Sequence, residues 1–195
     1  MVTETAFFAL LSRMRYISRW GLMRSSIPEN VQEHTCETAL YAHALGVISK
    51  EIFKKDCDPD RLSTLALYHD ASEIVTGDLP TPIKYHNRAI RTAYKEVERA
   101  ATEKLTALLP EELRGVYLEL MQPEGEEERF VKAADKLSAL VKCIEERKAG
   151  NREFLTAEAQ TLQAIRDMAL PEADWFIEHC LGAFEKNLDE LRLMD

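Results

Sequence analysis

The sequence predicts an all-α protein, a helical bundle of about seven or eight helices, and three observations predict it. Gly and Pro together make up about 7% of the 195 residues, against a usual background of about 12%. The abundant residues are Ala, Leu, Glu, Lys and Arg, the strong helix formers, which argues against a sandwich or barrel. Apolar residues also recur at helical spacing through most of the chain. With 46% apolar residues a sizeable core can form, so residues 1–195 are expected to fold as a single domain.

The elements follow in order. Phe7, Leu10, Leu11 and Met14 form an i, i+3, i+4, i+7 stripe. Asn30, with Glu33 three residues on, reads as a capping box that opens a helix running to Ile52. Asp58-Pro59 sets a cap and a first-turn proline before Leu62, Leu65 and Ala66, and that helix is expected to stop near Gly77. Asp78-Leu-Pro-Thr-Pro82 is expected to be a stiff, non-helical loop. Further helices are expected over Tyr85 to Leu109, Pro110 to Met121, Glu126 to Ala149, Glu153 to Met168 and Pro171 to Leu193. The acidic run Glu124 to Glu128 reads as a solvated lead-in, and Gly150-Asn151 and Pro171 separate the last three helices.

The formal net charge of −9 argues against a nucleic-acid polymer as partner, because such binding relies on Lys and Arg neutralising phosphates. A small phosphate ligand stays open, since only the field at its site matters. Cys36, Cys57, Cys143 and Cys180 are scattered without paired spacing, and are expected to be reduced and mostly buried. The longest apolar run, Ala6 to Leu11, is far shorter than a membrane span, and no secretory leader is recognisable. A soluble, cytoplasmic protein is expected.

Four places are unusual for a plain bundle. His69-Asp70 sits on a helix with a buried Leu62/Leu65/Ala66 face, and Glu73 follows one turn after His69. His34 lies in the first turn of the preceding long helix. Asp135 stands at the edge of the stripe Leu137, Leu140, Val141, Ile144, where an unpaired buried carboxylate would cost several kcal/mol. Arg13, Arg15, Arg19 and Arg24 fall in a stretch, 5–28, without one acid. Each has an ordinary reading: a packed histidine, a chance dipeptide, Asp135 paired with Lys132 or Lys136, a solvated or dimer-forming arginine face. Two imidazoles and two carboxylates together, however, suit a borderline divalent ion such as Mn, Co, Zn or Fe(II). His43 is about 180° round the helix from His34, and His86 and His179 lack partners at ligand spacing, so these three are read as structural.

His34, His69-Asp70 and Asp135 on separate helices resemble the H…HD…D signature of the HD-domain metal-dependent phosphohydrolases. Ser18-Arg-Trp-Gly-Leu-Met-Arg24, Glu29-Asn-Val-Gln-Glu-His34, Tyr68-His-Asp-Ala-Ser-Glu73 and Gly77-Asp-Leu-Pro-Thr-Pro-Ile-Lys84 sharpen this to the bacterial 5′-deoxynucleotidase branch, from about Phe7 to Leu188. The resemblance implies hydrolysis of deoxyribonucleoside 5′-monophosphates to deoxynucleoside and phosphate, with one divalent cation such as Co²⁺ or Mn²⁺, by a homodimer. It implies that His34, His69, Asp70 and Asp135 hold the metal and that Glu73 is the general acid or base. Arg19 would grip the phosphate and Trp20 would wall off the 2′ position of the sugar. Asp70, Asp78, Leu79, Pro80, Thr81 and Asp135 would meet the substrate, although Asp78 also suits a turn cap. Alternatives are an HD phosphohydrolase acting on a nucleoside triphosphate or an alarmone, a di-iron oxygenase, or an adaptor that kept the fold without chemistry.

Overall fold

The structure is a computed structural model and describes residues 4–84 and 86–191. Its helices are α1 (Phe7–Leu11), α2 (Val31–Glu51), α3 (Pro59–Tyr68), α4 (Glu73–Thr76), α5 (Thr81–Lys84), α6 (Arg88–Thr106), α7 (Glu111–Met121), α8 (Gly125–Lys148), α9 (Leu155–Asp167) and α10 (Pro171–His179). Seven of these have nine residues or more, and among the described residues there is no strand. The all-α expectation holds. No helix among the described residues is long and apolar enough to cross a membrane.

Helix α2 starts where expected because Asn30 and Glu33 exchange side-chain and backbone hydrogen bonds of 3.0 and 3.1 Å. Its central position comes from packing against α3 on one side and α8 on the other. Leu45, Leu65, Ala66, Ala134 and Leu137 meet there with no exposed surface. Gly46 makes the α2–α3 approach possible: a Cβ at that position would come within 2.8 Å of the Pro59 Cα. A second cluster of Phe7, Ala71, Leu105, Leu109 and Met121 ties the N-terminal segment and α6 to the turn after α3.

Residues 17–31 form a closed loop. Its base is an antiparallel contact in which the Val31 N–H donates to the Ile17 carbonyl at 2.9 Å and Arg19 N–H to the Glu29 carbonyl at 3.0 Å. Its far end is stapled to α8. The buried Glu146 carboxylate accepts from the Ser26 N–H at 2.7 Å, the Lys142 Nζ at 2.6 Å and the Asn151 side chain at 2.8 Å.

Several expectations are corrected. The helix from Asp58 does not run to Gly77; α3 stops at Tyr68, turns through 69–72, and α4 starts at Glu73. His69 itself ends it, because its Nδ1–H takes the Ala66 carbonyl at 2.7 Å, the acceptor that the Asp70 N–H would need to continue the helix. The 78–82 stretch is non-helical only as far as Pro80. Thr81–Lys84 form one helical turn, which Pro82 tolerates because first-turn N–H groups have no intrahelical partner. Asn87, whose side chain accepts from the Ile90 N–H at 2.9 Å, begins α6 later than expected, and Tyr85 lies outside the described residues. The last helix ends at His179, with 3-10 turns beyond it across Gly182, a weak helix residue. The expected end at Leu193 lies outside the described residues. The four cysteines are unbridged, but only Cys143 is buried, since helix packing leaves Cys36 on an exposed face.

Candidate metal centre and nucleotide site

Four separate pieces of chain deliver the site. The first turn of α2 brings His34, fully buried, under the end of α3. On one continuous helix His69 and Asp70 would point about 100° apart. The break after Tyr68 lets both face His34 instead. Atoms of His34, His69 and Asp70 capable of holding a cation lie within 4.8 Å of one another. Asp135, from the middle of α8, adds its Oδ1 at 3.1 Å from His34 Nε2. It meets that imidazole and not Lys132, which pairs with Glu128.

The hydrogen-bond pattern sets the tautomer of each histidine. Ser138 Oγ–H donates to Glu37 at 2.7 Å, so His34 Nδ1, 2.9 Å from the same Oγ, must be the protonated nitrogen and donate. His69 Nδ1–H is committed to the Ala66 carbonyl. Nε2 of each ring is thus the nitrogen turned toward the carboxylates, facing them with a proton in the absence of an ion and able to give its lone pair to a cation in place of that proton. His69 Nε2 is buried without a hydrogen bond although 3.1 Å from Asp70 Oδ2. Two imidazoles and a carboxylate whose donor atoms lie mutually close, a second carboxylate against one of the rings and a buried orphan nitrogen among them have the chemistry of a divalent-cation donor set.

Arg19 reaches this point from the 17–31 loop, its Nη1 3.7 Å from Asp70 Oδ2. Burial disfavours its charge, but Asp70, Asp135, Glu29 and Asp78 outweigh that and raise its pKa. Burial likewise opposes ionisation of Asp70, yet His69 and His34 hold its pKa at about 2. Asp135 is held well below the usual range despite burial, chiefly by its hydrogen bond to His34. Glu73 behaves oppositely. Burial, then Asp70 and Asp78, push its pKa to about 10, and its Oε2 is buried without a partner. The surroundings thus favour the protonated form of Glu73 beside ionised carboxylates.

The remaining expected positions are looser. Trp20 is half-buried against Phe154, with ring centroids 5.2 Å apart, and shares Glu29 with Arg19. Asp78, Leu79 and Pro80 lie half-buried in the loop between α4 and α5, and burial raises Asp78. Thr81 opens α5, its side chain outside the described residues. The arginine segment divides: Arg19 turns inward while Arg13, Arg15 and Arg24 are exposed. His43 pairs with Asp60 at 3.5 Å on the surface, and His86 and His179 are exposed, away from this centre. Sequence reasoning assigned no role to Glu29, Glu37 or Ser138. Glu29 had one signal, being the first acid after the acid-free arginine stretch; Glu37 follows His34 by three residues on α2, while Ser138 meets both only through tertiary packing.

A helical bundle with a His, His-Asp, Asp cluster at its centre belongs to the HD-domain phosphohydrolase class, and solved structures agree on the fold. An HD-domain phosphohydrolase from Listeria innocua superposes with a TM-score of 0.82 at 24% identity, covering 96% of this chain and 92% of that one. The cyanophage S-2L HD phosphohydrolase, solved with dA and one catalytic Zn²⁺ ion, gives 0.64 at 21% identity, covering 93% and 98%. Within that class the sequence is more specific. The family model for 5′-deoxynucleotidase YfbR-like proteins matches residues 6–184, and the chain belongs to that family. A 5′-deoxynucleotidase of Erwinia tasmaniensis is 46% identical over 95% of both chains. One from Vibrio parahaemolyticus is 43% identical over 96% of this chain and 98% of its own.

Proposed function

We propose that this protein is a 5′-deoxynucleotidase that hydrolyses deoxyribonucleoside 5′-monophosphates, preferring deoxyribose to ribose. The observation that carries the reading is the convergence of His34, His69, Asp70 and Asp135 beside Arg19 in a chain of this family. The four residues would hold one divalent cation, with Mn²⁺ or Co²⁺ suited to the mixed nitrogen and oxygen donors. When bound, the ion supplies an activated water and a Lewis acid for the phosphoryl oxygens. Arg19 binds the phosphate with its terminal N–H donors and counters charge that shifts during transfer. Glu73, favoured in its protonated form, carries a proton to the leaving 5′ oxygen. Trp20 presents an apolar wall at C2′, where a hydroxyl would lose water and gain no partner, and the 78–81 loop lines the nucleoside side. In the same reading the enzyme is a cytoplasmic homodimer.

The test is phosphate release from dAMP, AMP, dGMP and GMP with and without added Mn²⁺. The reading expects metal-dependent turnover with the deoxy substrates favoured by about 5- to 150-fold in kcat/KM, the equivalent of leaving one polar group unsatisfied. Equal turnover of dAMP and AMP would leave a phosphohydrolase that is not a deoxynucleotidase. Preference for a triphosphate would move the assignment to another HD activity.

A further inference from the structure

We infer that Glu29 is the positioning residue that sets both the phosphate grip and the sugar wall, an inference that rests on the deoxynucleotidase reading. One oxygen serves both neighbours. Oε2 accepts from Arg19 Nε at 3.0 Å and from Trp20 Nε1 at 2.6 Å. The Glu29 side chain is only 11% exposed, so water competes weakly for these bonds.

The two bonds do different things. A guanidinium presents its five N–H groups in a rigid fork. Tying Nε to Glu29 turns the terminal nitrogens toward Asp70, where Nη1 sits 3.7 Å from Oδ2 and faces the expected place of a phosphoryl group. For Trp20 the need is conformational. Its φ is +59°, in the left-handed region that a bulky residue avoids, and such a backbone persists only where its surroundings over-determine it. The surroundings here are the Nε1–H bond to Glu29, the Phe154 ring, and the Met23 N–H donating to the Trp20 carbonyl at 2.8 Å. Glu29 is itself anchored, because its carbonyl accepts the Arg19 N–H and the next residue caps α2, the helix that carries His34. One carboxylate thus aligns the arginine and the indole, from a residue whose backbone adjoins the cap of α2. Simple charge balance for Arg19 would not require the indole bond, and the two readings separate on substitution.

The experiment measures kcat and KM for dAMP and AMP, in Mn²⁺, for the unmodified chain, Glu29→Gln, Glu29→Met and Trp20→Phe. Glu29→Met fills similar volume without an acceptor. It should raise KM for both substrates and shrink the dAMP:AMP ratio of kcat/KM by about fivefold or more, as for loss of one orienting hydrogen bond. Glu29→Gln keeps an acceptor oxygen and should retain most of the ratio while weakening the grip on phosphate. Trp20→Phe keeps a ring but no donor, and should shrink the ratio with Glu29 intact; adding Glu29→Met should shrink it no further. In a Trp175→Phe background, the indole fluorescence of Trp20 should become more accessible to acrylamide in Glu29→Met, a readout independent of turnover. Should Glu29→Met fail to fold by circular dichroism, Glu29→Gln and Trp20→Phe decide the matter. A ratio within twofold of the unmodified chain in Trp20→Phe and in any folded Glu29→Met overturns the inference and leaves the deoxynucleotidase reading intact. An unmodified chain that does not discriminate the sugars overturns both.

Discussion

Ser138 Oγ stands 2.9 Å from Nδ1 of His34 and donates its own O–H to Glu37 at 2.7 Å. That relationship keeps a proton on Nδ1 of His34 and turns Nε2, the atom a cation would take, toward Asp70 and Asp135. Groups that orient a ligating histidine in this way are typically worth about 10- to 100-fold in metal affinity. Ser138→Ala should therefore weaken Co²⁺ binding by that order, measured by titration, with helix content unchanged. Wild-type affinity would mean that packing alone holds the ring.

Asp135→Asn keeps the side-chain volume but removes a charge from the proposed metal site. Cation affinity should fall while the helical fold survives, both readable in one thermal-shift titration with Co²⁺. Exhaustive chelation of the unmodified protein should abolish turnover, and Mn²⁺ or Co²⁺ should restore it better than Mg²⁺, which prefers an all-oxygen shell. Full turnover after chelation would remove the metal mechanism.

Glu73 is buried, and burial with Asp70 and Asp78 pushes its carboxyl toward the protonated form. Glu73→Ala should lower kcat by about 10²–10⁴-fold, the usual contribution of a general acid or base. Metal affinity should stay near that of the unmodified chain. A rate within a few-fold of normal would reduce Glu73 to a structural acid.

Gly46 bears on stability and not on chemistry. An added methyl would press on the Pro59 backbone at 2.8 Å, and backbone cannot swing aside as a side-chain tip can. Gly46→Ala should cost about 1–3 kcal/mol, typical of overpacking, despite the better helix propensity of Ala. Chemical denaturation measures it directly, and a stabilised variant would show that α2 and α3 can separate freely.

Glu146 gives the fold an acid-sensitive joint. Burial raises its pKa, but Lys142, Ser26 and Asn151 outweigh this and lower it from 4.5 to about 2. A carboxylate depressed on folding stabilises above its unfolded pKa and loses that contribution as pH falls toward the folded value. The unmodified chain should lose on the order of 3 kcal/mol between about pH 4.5 and 2 from this group. Glu146→Gln should show a flatter decline in thermal midpoint over that window. Parallel curves would place the acid sensitivity elsewhere.

Much of this was legible in the chain. The helices of the core, the capping box at Asn30 and the proline start at Pro59 are local: cap chemistry and 3.6-residue periodicity act within a few residues. His34, His69, Asp70 and Asp135 were legible as chemistry because imidazoles and carboxylates on apolar helices need partners. Less legible was the end of α3. No glycine or proline marks it; a histidine ring competing for the Ala66 carbonyl does. The helical turn at Thr81–Lys84 was hidden by its prolines, whose first-turn tolerance depends on where the turn starts.

The sequence by itself determined the helical class, the main helix starts and the residue types suited to holding a cation, because propensity, capping and side-chain chemistry are properties of short segments. Only the tertiary structure decided that His69 and Asp70 face one point, that Ser138 and Glu37 select the tautomer of His34, and that Glu29 joins Arg19 to Trp20. The Ser138 contacts link residues about a hundred positions apart in the chain, and His34 meets His69 and Asp70 from another helix. Their distances are set by how α2, α3 and α8 pack, and the directions in which their hydrogen bonds run are set by burial that removes water as an alternative partner.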